Sequence, residues 1–396
     1  MKILMLAPEP FFQPRGTPIS VFFRIKALSD MGHSTDLITY PLGRDVSFKN
    51  LRIGRVPNFL GLRKIKIGPS PAKIALDAGL FLKALGRLLK TRYDVIFSHE
   101  EAAWFGAGLG RVFGIPHIYD MHSSLPQQLE NFDFSRSRLL KRLFLGLERF
   151  VLRNSASVIV ICEDLLEYVR AGGFGEKTLL IENFIDFSDF EEGRPEPDIV
   201  LRKKKEISPD GEKIILYAGN FEPYQGLPLL FEAFARLTCP AVLLVVGGSA
   251  AEHEAMRKIA ADLGVKRRIV FVEKVPPARV PLYVSLADVL VSPRISGTNT
   301  PLKIYSFLKS GKPLVATELR THTQILDDRI AILAPAEAGG VADGLAFALE
   351  SEEALARARE AKRMADREYV YPRYLQKMGE VLKRSAKKES SPRSRK

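Results

Sequence analysis

The chain has 396 residues, 46% of them hydrophobic and 27% charged, with a formal net charge of +13. This length fits two α/β domains of roughly 190 residues each, and the apolar fraction supplies two cores, which excludes a wholly disordered chain. No run approaches the roughly 18 apolar residues of a bilayer span.

The opening MKILMLAPEP lacks the length and flanks of a signal peptide, and of the two cysteines Cys162 sits in the apolar run SASVIVICEDLL. A reducing, cytoplasmic location is expected. The charge is regional. Residues 51–92 hold ten Lys or Arg against Asp77, a local +9, and residues 383–396 hold seven against Glu389, a local +6, so the remainder is close to neutral.

In chain order the text reads strand KILMLA, loop PEPFFQPRGTP, helix ISVFFRIKALSDMGH and strand STDLITY. Further strands are predicted at DVIFSH (94–99), PHIYDMH (116–122), SVIVIC (157–162) and KTLLIEN (177–183), with helices between them. Such alternation implies βαβ units and a parallel sheet, with ligand atoms beyond the carboxyl ends of the strands. Residues 186–213 change character, with three prolines and clustered charge, as a domain junction does. A second series follows: KIILYAG, AVLLVVGG, RIVFVE, DVLVSP, PLVAT and AILA as strands, with LPLLFEAFARL, EAMRKIAADLG, ARVPLYVSLA and PLKIYSFLKSG as helices. The expected organisation is an α/β fold with two Rossmann-like domains facing a cleft. Residues 1–190 form the acceptor-side domain, 191–212 a linker, 213–370 the donor-binding domain, and 371–396 a C-terminal helix with a disordered basic tail.

Four segments carry a resemblance to glycosyltransferase family 4: LYAGNFEPYQGLPLLFEAF, LLVVGG (243–248), VPLYVSLADVLVSPRISGTNTPLKIYSFLKSGKPLVAT, and IYDMHSSLP. The resemblance implies the GT-B architecture and a retaining transfer from a nucleotide-diphosphate sugar to a saccharide or lipid-linked acceptor. It implies no metal and no further cofactor. The physics of the segments agrees, because a diphosphate is held by backbone N–H groups at a helix N-terminus where the chain can approach closely. Gly297 before a helix opening at Thr300 and Pro301 offers that, and Gly219, Gly226 and Gly248 allow close approach nearby. The same glycines would also serve plain strand-to-helix turns.

The chain departs from the family in its charges. Many members carry Arg after the first glycine and Lys five residues on, where this chain has Asn220 and Gln225. They also carry two Glu eight residues apart, where this chain has Thr298 and Ser306. A degenerate site, a shifted alignment and a sub-branch that supplies its cations elsewhere all fit. The third is favoured because Arg294 and Lys303 bracket a loop whose Thr298, Asn299 and Thr300 offer hydrogen bonds ahead of Pro301 and Leu302. Lys303 is expected on a phosphate, against the alternative of a solvated surface lysine, and Ser306 on the ribose.

On the acceptor side, Arg15, Gly16 and Thr17 precede the first helix, where anionic groups are favoured, although Thr17 could equally be a helix cap. His122 is the leading catalytic candidate. His99 and Glu100 are weaker ones, and Asp120 is expected to be structural. No triad, paired-carboxylate motif or metal-ligand cluster is evident.

Residues 71–91 place Ile74, Ala78, Phe81, Leu85 and Leu88 on one helical face and Lys83, Arg87 and Lys90 on another, and 136–153 repeat the theme. These segments suit either a basic outer face in water or an anionic membrane surface at the inner face of the membrane. No nucleic-acid-binding motif is present. A nucleotide-sugar epimerase and a non-catalytic scaffold of the same fold are the alternative functions.

Overall fold

The structure, a computed structural model, describes residues 1–13, 16–65, 70–124, 138–183 and 195–387. Arg15 and residues 388–396 lie outside them. The chain divides into two compact units, the first built of residues up to Asn183 together with the last helix, the second running to Val370.

In the first unit, strands β1 (Lys2–Ala7), β2 (Ser34–Thr39), β3 (Leu51–Arg55), β4 (Val95–His99), β5 (His117–Met121), β6 (Ser157–Val160) and β7 (Thr178–Leu180) form a parallel sheet in the order β3-β2-β1-β4-β5-β6-β7. Strand β3 was not foreseen. Its sequence LRIGR alternates weakly, and it pairs only at the sheet edge against β2. Helices α1 (Gly16–Asp30), α2 (Pro71–Lys90), α3 (Ala102–Phe113), α4 (Arg138–Asn154) and α5 (Glu163–Ala171) make the crossovers.

The second unit repeats the plan. Helix α6 (Pro197–Ile207) occupies half of the stretch expected as linker. Strands β8 (Lys213–Ala218), β9 (Ala241–Val246), β10 (Ile269–Val272), β11 (Val289–Ser292), β12 (Leu314–Thr317) and β13 (Ile332–Ala334) are parallel in the order β10-β9-β8-β11-β12-β13. Around them lie α7 (Leu227–Ala235), α8 (Ala250–Asp262), α9 (Val280–Leu286), α10 (Leu302–Ser310), α11 (Arg320–Thr323), α12 (Ala338–Glu350) and α13 (Glu352–Glu368), with α6 packed on α9.

Strand alternation sorts the core. Ile215, Tyr217, Leu243, Val245 and Val289 face one apolar cluster with Leu230 and Leu345, while Ile214, Leu216, Leu244 and Leu290 face another with Ile304 and Phe307. Because helices cover both faces, these strands read as continuous apolar runs.

The last helix, α14 (Tyr371–Lys387), belongs to the first unit, where it packs on α1, β5 and β6. Its buried residues Tyr374, Met378, Val381, Leu382 and Ser385 follow helical spacing and give it one apolar face. Beneath it lies Arg24 of α1, wholly buried. Arg24 Nε donates to Asp120 Oδ2 at 2.9 Å, Nη1 to Tyr374 Oη at 2.8 Å and Nη2 to the Ile181 carbonyl at 3.1 Å. One guanidinium therefore ties α1, β5, the end of β7 and α14. Burial opposes ionisation of Asp120, but Arg24 outweighs it and holds the carboxyl well below the usual range.

Replacing Arg24 by Met leaves Asp120 buried without its partner. Arg24→Met is expected to lose about 3–5 kcal/mol in denaturant unfolding near neutral pH. The loss should shrink as pH falls towards the folded-state pKa of Asp120, since a depressed carboxyl pKa stabilises only while the group is ionised.

Candidate functional site

Each sheet reverses its strand order once, between β1 and β4 in the first and between β8 and β11 in the second. Loops leave those strand ends in opposite directions, and ligands of doubly wound folds bind there.

In the first unit, pairing of β4 with β5 sets His99 beside Asp120. His122, two residues on, lies on the same side as Asp120 because strand side chains alternate. His99 Nδ1 is 3.3 Å and His122 Nε2 3.5 Å from Asp120 Oδ2, the oxygen that Arg24 also holds. His99 is the fully buried last residue of β4, not part of a loop, and burial pushes its pKa down to about 3 against the pull of Asp120. It is therefore a neutral ring packed between Phe97 and His122.

Glu100 follows at φ 46°, uncommon for a residue with a Cβ and a mark of a constrained position. It accepts from Ser123 Oγ at 3.1 Å, and Thr17 Oγ1 lies 3.5 Å from its other oxygen. Burial raises its pKa, with His122 opposing. Helix α1 starts at Gly16, so Thr17 lies within the first turn and turns towards Glu100 rather than capping. Among the described residues, His99, Asp120 and His122 form a group whose ligand atoms lie within 4.8 Å of one another. The Arg24 guanidinium already neutralises the carboxylate at its centre, which suits orientation of the imidazoles better than cation binding.

In the second unit, three loops are pressed backbone to backbone. Gly226 has φ 72°, and a Cβ there would stand 1.9 Å from the Pro293 carbonyl oxygen. At Gly247, φ 136°, it would stand 1.7 Å from the Gly219 carbonyl oxygen. Only glycine fits either place. Asn220 and Gln225 bond to each other, Gln225 Nε2 donating to Asn220 Oδ1 at 2.9 Å, and Tyr217 Oη donates to the Asn220 carbonyl at 2.6 Å.

Arg294 lies over the Tyr224 ring at 5.2 Å, and its Nη1 donates to the Asn299 carbonyl at 2.9 Å and to Thr321 Oγ1 at 3.1 Å. Thr321 Oγ1 also donates to the Asn299 carbonyl, and Gln324 Nε2 to the Thr298 carbonyl at 2.8 Å, so α11 shapes the loop through Gly297. Behind it, His322 Nε2 meets Ser292 Oγ at 2.9 Å, and burial pushes this ring down to about 4. Sequence reading missed His322, Thr321 and Gln324. They follow the next strand, β12, and only the parallel pairing of β11 with β12 brings them near.

Helix α10 opens at Leu302, with Pro301 as its N-cap, and Ser306 Oγ donates to the Lys303 carbonyl at 2.8 Å within the helix. Lys303 is not a surface lysine. Its Nζ is buried 4.2 Å from the centre of the Tyr217 ring and has no hydrogen-bond partner among the described residues. Burial, with Arg294 adding, holds its pKa well below the usual lysine range. Arg294 Nε and Thr300 Oγ1 are likewise buried without partners among the described residues. Buried ammonium groups are costly unless an anion meets them, and the helix N-terminus beside Lys303 carries the same sign. The arrangement suits a diphosphate.

An anion at Lys303 restores its pKa upward, so binding takes up a proton between the two values and affinity falls as pH rises through that interval. Calorimetric titration of nucleoside diphosphates should show this slope, and Lys303→Met should abolish it with about a 10- to 100-fold loss of affinity. The same variant should raise the stability of the free protein by about 0.5–2 kcal/mol, because the cost of holding a buried amine below its usual pKa is gone.

The family model for glycosyl transferases group 1 matches residues 199–365, and that for Glycosyltransferase Family 4 matches residues 15–189. An uncharacterized glycosyltransferase of Methanocaldococcus jannaschii is 25% identical over 83% of this chain and 84% of its own. A phosphatidyl-myo-inositol mannosyltransferase of Mycolicibacterium smegmatis is 22% identical over 89% and 86%. Among solved structures, Anabaena HepE in complex with UDP superposes with a TM-score of 0.74 at 17% identity, covering 97% of this chain and 100% of that one. With each unit matched by a glycosyltransferase model, the chain is a hexosyl-transferring glycosyltransferase with the GT-B fold of two Rossmann-like units.

Proposed function

We propose that the protein moves a sugar from a nucleotide-diphosphate sugar onto a lipid-linked or saccharide acceptor, with retention of anomeric configuration and without a metal ion. The observation that carries the donor half is Lys303, a buried cation whose charge nothing in the described chain matches. As the glycosidic bond to the diphosphate breaks, negative charge grows on the leaving oxygen. Lys303, Arg294 and the N–H groups opening α10 are fixed groups of the right sign to stabilise it, and fixed dipoles need no reorganisation during the reaction.

His122 is the first unit's reacting-sugar group in this reading. Asp120, held by Arg24, positions it, and Glu100 with Thr17 and Ser123 forms a second polar cluster at the same strand end. The lipid-linked acceptor draws support from the mannosyltransferase relative, whose name specifies phosphatidyl-myo-inositol.

The full chain, incubated with UDP-, GDP- and ADP-sugars and candidate acceptors, should consume one donor class. NMR should find the product linkage in the donor's anomeric configuration, and a chelator should leave the rate unchanged. An inverted product or a chelator-sensitive rate would overturn those parts. His122→Asn is expected to lower kcat by about 10²- to 10⁴-fold while donor affinity stays within about twofold. Loss of donor affinity alone would remove His122 from the reaction.

A further inference from the structure

Among the described residues, those that carry a Cβ in the left-handed region of backbone space are Asn50, at φ 63°, and Glu100, at φ 46°. Asparagine visits that region readily, whereas glutamate meets a steric penalty there that glycine would not. The conformation is what places the carboxyl group. β4 is buried throughout and ends on His99, and in strand geometry the next side chain would leave on the face opposite His99. Glu100 breaks that alternation, is partly exposed, and meets Ser123 Oγ at 3.1 Å and Thr17 Oγ1 at 3.5 Å.

Hydroxyls alone hydrogen-bond this carboxylate among the described residues. Lys73 pairs instead with Glu101 at 3.4 Å, and Arg24 is committed to Asp120. A carboxylate offers about four lone-pair positions, and the Thr17 contact lies at the outer limit of a hydrogen bond, so capacity to accept remains. A hydroxyl has one proton, and those of Thr17 and Ser123 are directed at Glu100. The cluster therefore presents hydrogen-bond acceptors, one of them anionic, which repels phosphate and matches a ligand rich in O–H donors. In the transferase reading, on which this inference rests, Arg294 and Lys303 hold the diphosphate in the second unit, and the hydroxyl-bearing reactant at the first unit is the acceptor. We propose that Glu100 is an acceptor-binding residue, whose carboxylate takes a hydrogen bond from an acceptor hydroxyl and orients the acceptor for attack, with Thr17 and Ser123 fixing the carboxylate. A site built to take a hydrogen bond from a substrate hydroxyl also rejects analogues that lack it, so Glu100 contributes acceptor selection as well as affinity.

Wild type, Glu100→Gln and Glu100→Gly are to be compared in transfer from UDP- and GDP-sugars to methyl α-D-mannopyranoside, myo-inositol and detergent-dispersed phosphatidylinositol, with donor hydrolysis, in which water is the acceptor, measured where none of these turns over. Glycine suits φ 46°, so Glu100→Gly should melt no lower than wild type, which separates loss of the carboxylate from loss of the fold. Both variants should lower kcat/KM for the acceptor by about 10- to 100-fold, mainly through acceptor KM, with donor affinity within about twofold. Formate added to Glu100→Gly should raise its rate at least about threefold by returning a carboxylate to the emptied place, and should leave Glu100→Gln unchanged. Acceptor kinetics of Glu100→Gly close to those of wild type, a loss matched by equal loss of donor affinity, or indifference of Glu100→Gly to formate would overturn the proposal and leave nucleotide-sugar transfer standing. A wild-type chain that binds no nucleoside diphosphate would overturn both.

Discussion

A parallel sheet whose strand order reverses must send two neighbouring chains to opposite sides from adjacent carboxyl ends, and nothing at that point fills the gap they leave. Both units are organised by this constraint. In the first it sets the ends of β1 and β4 side by side, and so Gly16, Thr17, His99 and Glu100. In the second it joins the ends of β8 and β11, and so Gly219 to Gly226 and Arg294 to Lys303. Polar side chains gather at these places because apolar strand residues stop there.

The two sites treat buried charge in opposite ways. Arg24 and Asp120 answer each other within the fold, and the remaining donors of Arg24 are spent on Tyr374 and the Ile181 carbonyl. The pair gives rigidity and an orientation for His122. Lys303 is answered by an aromatic face alone, Tyr217, which offers far less than an anion would. Keeping such a group without an anion costs the fold stability.

Two positions at which the resemblance to family 4 implies cations are neutral in this chain. Asn220 and Gln225 bind each other and brace the loop after β8. Arg294 and Lys303 bring positive charge from the segment after β11, on the other side of the strand reversal.

Much of the molecule was legible in its residues. Alternating apolar strands and helices announced two α/β units, because parallel strands covered on both faces must be apolar throughout. Glycine-ended strands announced the loops, since only glycine permits backbone against backbone, as Gly226 and Gly247 do. Local periodicity determined these features, and local periodicity is what a sequence displays. Tertiary structure decided the rest. It sent α14 back to the first unit, closed Arg24 on Asp120 across 96 positions, and brought α11 to the loop through Gly297. It also decided which side of α2 met the core, leaving Ile74, Leu82 and Leu89 outside, and it buried the Nζ of Lys303 against the Tyr217 ring. Those outcomes depend on which elements pack together, and packing is set by contacts between residues far apart in the chain.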